Sequence, residues 1–144
     1  MEHHKKIKEG IFLFKGKVQE HTDERRSIKD IALPHLPGFS IRQVKRMDFE
    51  KKGIVVGNHF HTRESGRIEV YIAMGTPKKK LFEFLYRKKG GRIRKVSFFS
   101  GDGVLIPPLY THAFKVFYED SSLWGLSNLP EYKTEEDVKD IIAE

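Results

Sequence analysis

The chain has 144 residues, a formal charge of +7 and no cysteine, which suits one compact domain and excludes disulfides, thiolate zinc sites and thiol nucleophiles. No stretch approaches the roughly 18 uninterrupted apolar residues of a membrane span, and the apolar patch at residues 11–14 is too short for a secretory core, so a soluble cytoplasmic protein is expected. The charge suits anionic ligands, but a 33% charged, cysteine-free composition equally suits a heat-tolerant surface laced with ion pairs, and no zinc finger, RNP-type motif or basic helix points to nucleic acid.

In chain order, residues 11–18 read as a strand, and residues 20–30 as a polar loop or short helix. The cluster Leu33-Pro34-His35-Leu36-Pro37-Gly38 breaks regular structure, and residues 39–49 resume a pattern that can hold another strand. Short β-rich runs follow at 53–61, 67–74, 80–87, 93–99, 103–106, 113–118 and 122–126, divided by Gly, Pro, Asn or Asp. Their even spacing predicts a sandwich or barrel rather than βαβ units, with Gly90-Gly91 as a hairpin turn. Phe82, Phe84, Tyr86, Phe98, Phe114 and Phe117 are expected in the core, and Trp124 in the core or at an interface. At the end, Thr134 caps a predicted helix with Glu135, Glu136 and Asp137 in its first turn and Val138, Ile141 and Ile142 as its apolar stripe.

Two segments carry chemistry. In Gly57-Asn58-His59-Phe60-His61, a strand would turn both imidazoles to one side, whereas a helix would splay them by about 200°. Two exposed polar side chains on an edge strand are the plain alternative. About forty residues on, a Gly101-Asp102-Gly103 turn launches an apolar run that Pro107-Pro108 stops, and His112 follows. A proline pair belongs at a strand end or barrel rim, so it holds that histidine beside a rigid corner.

Together these segments resemble the two motifs of the cupin superfamily: residues 57–75 the first, residues 101–112 the second, with Gly101, Pro107 and His112 at the expected positions. The resemblance implies an all-β, double-stranded β-helix (jelly-roll) barrel with a short C-terminal helix. It divides a single domain, 1–144, into N-terminal strands or an arm at 1–50, a barrel core at 53–127 and the helix at 134–143. It also implies that His59, His61 and His112 bind a metal, with Glu69 as the carboxylate ligand. The pattern departs from the family in three ways. Seven residues separate His61 from Glu69 where the family has three or four. Glu69 stands one residue too close to Gly75, which turns it outward unless a bulge intervenes. Leu109 and Val116 replace the usual glycine and asparagine. Glu64 has better spacing from His61 but falls in the 62–66 loop.

Such a site suits Zn, Mn, Fe, Ni or Co, because imidazole does not discriminate among them. The segments are most similar to small cupins that isomerise or epimerise sugars or sugar nucleotides, and the tail at 131–137 is similar to those of sugar ketoisomerases. This implies a small-molecule substrate and a homodimer, with the metal stabilising an enediolate while His59 or His61, or else Tyr71, moves the proton. Tyr71 shares the face of Glu69 and reads equally as barrel filling. The alternatives are a metal-dependent dioxygenase, a non-catalytic ligand-binding cupin and a basic nucleic-acid-binding barrel in which the histidines are dispensable.

Overall fold

A computed structural model describes residues 10–144. The apolar alternation builds twelve strands among these residues, numbered here in chain order. One antiparallel sheet runs β1 (Phe12–Lys15), β9 (Asp102–Ile106), β6 (Glu69–Met74), β11 (Ser121–Ser127) and β4 (Gln43–Phe49). The facing sheet runs β12 (Asp137–Lys139), β5 (Val55–His61), β10 (Tyr110–Val116), β7 (Phe82–Lys88) and β8 (Arg94–Phe98). β2 (Lys17–Thr22) and β3 (Ser27–Ala32) pair as a separate hairpin. No helix among the described residues is long and apolar enough to cross a membrane.

Aromatic side chains fill the space between the sheets. Phe82, Phe84 and Phe114 are essentially inaccessible, and the rings of Phe84 and Phe114 lie 4.8 Å apart. Each such ring contributes about 2–3 kcal/mol by leaving water. Alternation divides β6 between two cores. Tyr71 and Ala73 face the barrel interior with Val104 and Leu123, while Val70, Ile72 and Met74 face outward. That outer face is covered by Phe14, Val18, Ile31, Leu33, Leu36 and Phe39 from the N-terminal part of the chain. A strand buried on both sides reads as a continuous apolar run, as Val70 to Met74 does.

Several expectations need correction. The single strand expected over 11–18 breaks at Gly16, whose amide donates to the Gly101 carbonyl at 2.7 Å. The polar stretch 20–30 is neither loop nor helix but much of the β2–β3 hairpin. Phe117 lies at the surface, 41% exposed, with the Lys80 ammonium 3.8 Å from its ring centre. Trp124 is half-buried on the outer face and stacks against Arg46.

The C-terminal helix expected at 134–143 does not form: a 3-10 turn at Thr134–Glu136 leads into β12. A ten-residue helix is marginal by itself. The unpaired edge of β5 offers the tail backbone partners instead, from Asp137 opposite His61 to Lys139 opposite His59. Val138 and Ile141 are consequently exposed, and Ile142 alone of the supposed stripe is buried.

Candidate active site

An irregularity in β5 orients the site. His112 pairs with His59 but Ala113 pairs with Gly57, so Asn58 is an extra residue in the ladder. Val56 packs into the barrel core, and strict alternation from it would send Asn58 and Phe60 inward. The extra residue reverses the phase beyond it, bringing His59 and His61 inside. Gly57 and Asn58 supply the backbone this needs, with φ of 99° and 59°. A side chain at Gly57 would place its Cβ 2.5 Å from the His112 carbonyl oxygen. Asn58 tolerates the left-handed conformation, and its side chain then clamps the tail. Its Nδ2 donates to the Ala143 carbonyl, and its Oδ1 accepts from the amides of Ile142 and Ala143, each at 3.0 Å.

His59, His61 and His112 converge, with one ring nitrogen from each lying within 4.8 Å of the others. The Nδ1–H of His112 donates to the Tyr110 carbonyl at 3.0 Å, which leaves its Nε2 as the nitrogen turned toward Glu69, 3.7 Å away. Glu69 faces inward and is 2% exposed, with Oε1 2.8 Å from Nε2 of His61. β6 reaches this orientation without a bulge, its register with β9 and β11 being regular. The surplus residues between His61 and Glu69 form the 62–68 connection, where Glu64 is exposed and does not join the histidine group. Leu109 retains the left-handed backbone of the glycine it replaces, with φ of 73°.

Burial, reinforced by the neighbouring imidazoles and opposed in part by Asp137 and Glu69, lowers the pKa of His59 to about 4. Burial likewise lowers that of His112 to about 4, against the attraction of Glu69. Both are therefore neutral near pH 7, the form that accepts protons or binds metals. Burial pushes Glu69 upward, but its hydrogen bond with His61 and the charges of His112, His61 and Lys45 outweigh this and hold it at about 2. Tyr71 is raised well above its ordinary value, first by burial and then by the adjacent Glu69 charge, so it remains a phenol.

Four further residues here were not expected at the site from the sequence. Asp137, on β12, sets Oδ1 2.7 Å from Nδ1 of His61 and Oδ2 3.8 Å from Nδ1 of His59. The closer pair is not aligned for a hydrogen bond, so both atoms remain buried without one. Tyr132 stands edge-on to His61, with ring centres 6.4 Å apart, and its hydroxyl donates to Asp137. The fully buried Arg67 holds this segment down, donating to Glu136, Ser127 and the Glu131 carbonyl while its guanidinium lies over the Tyr132 ring. Lys45, on β4, brings its ammonium 3.9 Å from Glu69 Oε2. Lys45 lies within neither motif, and Asp137 and Tyr132 fall in the 131–137 tail, whose resemblance gave neither of them a role at the site.

Two antiparallel five-stranded sheets enclosing an aromatic core, with converging histidines supplied by β5 and β10, define a cupin barrel. Solved structures of the same fold agree. The sugar 3,4-ketoisomerase QdtA from Thermoanaerobacterium thermosaccharolyticum, as a mutant in complex with TDP-4-keto-6-deoxyglucose, superposes with a TM-score of 0.67 at 17% identity, over 92% of this chain and 88% of its own. A 3,4-ketoisomerase from Helicobacter canadensis gives 0.66 at 19% identity, over 90% of each chain. The 3'-monoepimerase ChmJ from Streptomyces bikiniensis, in complex with dTDP-quinovose, gives 0.69 at 14% identity, over 90% of this chain and 69% of its own. No protein-family profile and no curated protein sequence matches the chain.

Proposed function

We propose that this chain is an enzyme that isomerises or epimerises a small keto-sugar carried on a nucleotide, moving a proton between carbons next to a carbonyl. The observation that carries this reading is the convergence of three imidazoles inside the barrel, two of them turned on the buried carboxylate Glu69. The ketoisomerases and epimerases that share the fold supply the substrate class.

In this reading His59, the most exposed of the three histidines and neutral near pH 7, takes the proton from the carbon beside the carbonyl. His61, between Glu69 and Asp137, returns a proton to the neighbouring carbon, and the flanking carboxylates orient its ring. Tyr71, held as a phenol, is a hydrogen-bond donor rather than a base.

The three histidines also fit a divalent metal: His59, His61 and His112 would hold it, with Glu69 beside His61 and His112 as a candidate fourth ligand, and with His59 and His112 already in the neutral ligand form. A metal bound there would supply Lewis-acid polarisation of the carbonyl. A metal-free reading has one observation in its favour, since His61 Nε2 is already engaged by Glu69 at 2.8 Å.

The test is turnover of TDP-4-keto-6-deoxyglucose in D2O followed by proton NMR, alongside elemental analysis of protein purified without a nickel column. The native chain should convert the sugar and incorporate deuterium, and His59→Ala should lose at least about 10²-fold in rate. Stoichiometric metal, lost in His59→Ala and His112→Ala, would select the metal-bound form, and activity in metal-free protein the other. Absence of turnover and exchange, with or without added divalent ions, would refute the isomerase reading.

A further inference from the structure

Lys45 occupies an interior position of β4, in line with Met47 and Phe49, which pack into the barrel core. A lysine there must run its stem across the neighbouring strand to keep its ammonium near the barrel mouth. The neighbour opposite is Gly125, and opposite Gly125 on the next strand is Tyr71. A Cβ on Gly125 would sit 3.0 Å from Lys45 Cγ, Lys45 Cε and Tyr71 Cε1 alike. Glycine at this position thus opens a cradle for the lysine stem against the Tyr71 ring.

The ammonium that emerges lies 5.5 Å from the centre of the Tyr71 ring and 5.7 Å from that of Tyr132. Its ion pair with Glu69 is long, at 3.9 Å, and among the described residues it makes no hydrogen bond. Its three donors therefore remain available beside the histidine cluster, with aromatic faces on two sides.

We propose that Lys45, seated in the cradle opened by Gly125, is the oxyanion-binding catalytic residue of this site. The proposal rests on the isomerase reading. When the base removes a proton from the carbon beside the carbonyl, the C–H bond breaks and its electron pair moves onto the carbonyl oxygen. The Lys45 ammonium donates a hydrogen bond to that oxygen. The pair returns to carbon when the neighbouring position is protonated, so no oxidant or reductant is consumed. A fixed cation aimed at charge that develops only in the transition state acts on kcat more than on KM.

The experiment compares the native chain with Lys45→Met, Lys45→Arg and Gly125→Ala in two measurements: turnover of TDP-4-keto-6-deoxyglucose, and calorimetric binding of oxalate, a planar dianion that mimics an enolate. Lys45→Met should lower kcat by about 10²–10³-fold with KM changed less than about threefold, and should weaken oxalate at least about tenfold. Lys45→Arg should recover part of both losses, and Gly125→Ala, which displaces the lysine stem, should lower kcat with the charge still present. Lys45→Met turnover within about threefold of native, or a loss confined to KM, overturns the proposal and leaves the isomerase reading intact. A native chain that does not turn over but binds oxalate in a Lys45-dependent way overturns the isomerase reading and with it the catalytic role of Lys45, leaving Lys45 an anion-binding group. Failure of the native chain in both measurements overturns both.

Discussion

Asn58 joins the strand irregularity to the C-terminal tail, and its replacement by alanine should separate them. The side chain makes three hydrogen bonds of 3.0 Å to Ile142 and Ala143. At about 1 kcal/mol net each, their loss weakens docking of the tail by about 3 kcal/mol. The left-handed backbone, φ 59°, costs alanine about 1 kcal/mol more. A total near 4 kcal/mol corresponds to a local opening equilibrium raised by roughly 10²–10³-fold. Native-state hydrogen exchange reads this directly, because the amides of Ile142 and Ala143 donate to Asn58 Oδ1. Their exchange should accelerate by about 10²-fold or more, while amides of β6, paired on both sides, should change far less. Asn58→Gly relieves the backbone strain and loses only the hydrogen bonds, so it should fall about 1 kcal/mol short of the alanine variant. Unchanged protection at Ile142 and Ala143 in Asn58→Ala would refute the assignment of Asn58 as the clamp.

Three further outcomes are expected. The folded chain protonates His59 and His112 only near pH 4, whereas the unfolded chain does so from pH 6.5; between those values the unfolded state binds more protons. Stability should therefore fall as pH falls from 6.5 to about 4, and fall further through 4.5 to about 2 as Glu69 protonates. Urea denaturation across this range checks it, and a flat profile from pH 7 to 4 would contradict it. Glu69→Gln removes the charge beside Tyr71, so ultraviolet titration should find that phenol ionising at lower pH than in the native chain, and turnover should drop by at least about 10²-fold. Gly57→Ala forces a Cβ to 2.5 Å from the His112 carbonyl at a φ of 99°, so it should destabilise the chain by several kcal/mol, about 2–4, and lower any metal content together with the melting temperature. A variant that melts with the native chain would contradict the close approach of β5 and β10.

Much of the barrel was legible because alternation is a local property. Runs of Val, Ile, Phe and Tyr bounded by turn residues give strands wherever one face is buried, and Phe82, Phe84, Phe98 and Phe114 are interior as expected. The spacing of His59 and His61 was sufficient to place both imidazoles on one side of a strand, since side chains two apart share a face. Glu69 was harder. Its distance from Gly75 argued for an outward orientation, but the 62–68 connection absorbs the surplus residues and β6 enters its sheet already in phase.

The sequence by itself thus determined the fold class, the paired histidines and the rigid corner before His112, all of which depend on neighbours close in the chain. Tertiary structure alone decided that the inserted Asn58 turns His59 and His61 inward, and that the tail pairs with β5 instead of coiling. It also decided that Asp137, Tyr132 and Lys45 join the histidines. The physical reason is that an open strand edge, a vacant Gly125 opposite a lysine and a carboxylate reaching across two strands exist only once segments distant in sequence have been brought into register.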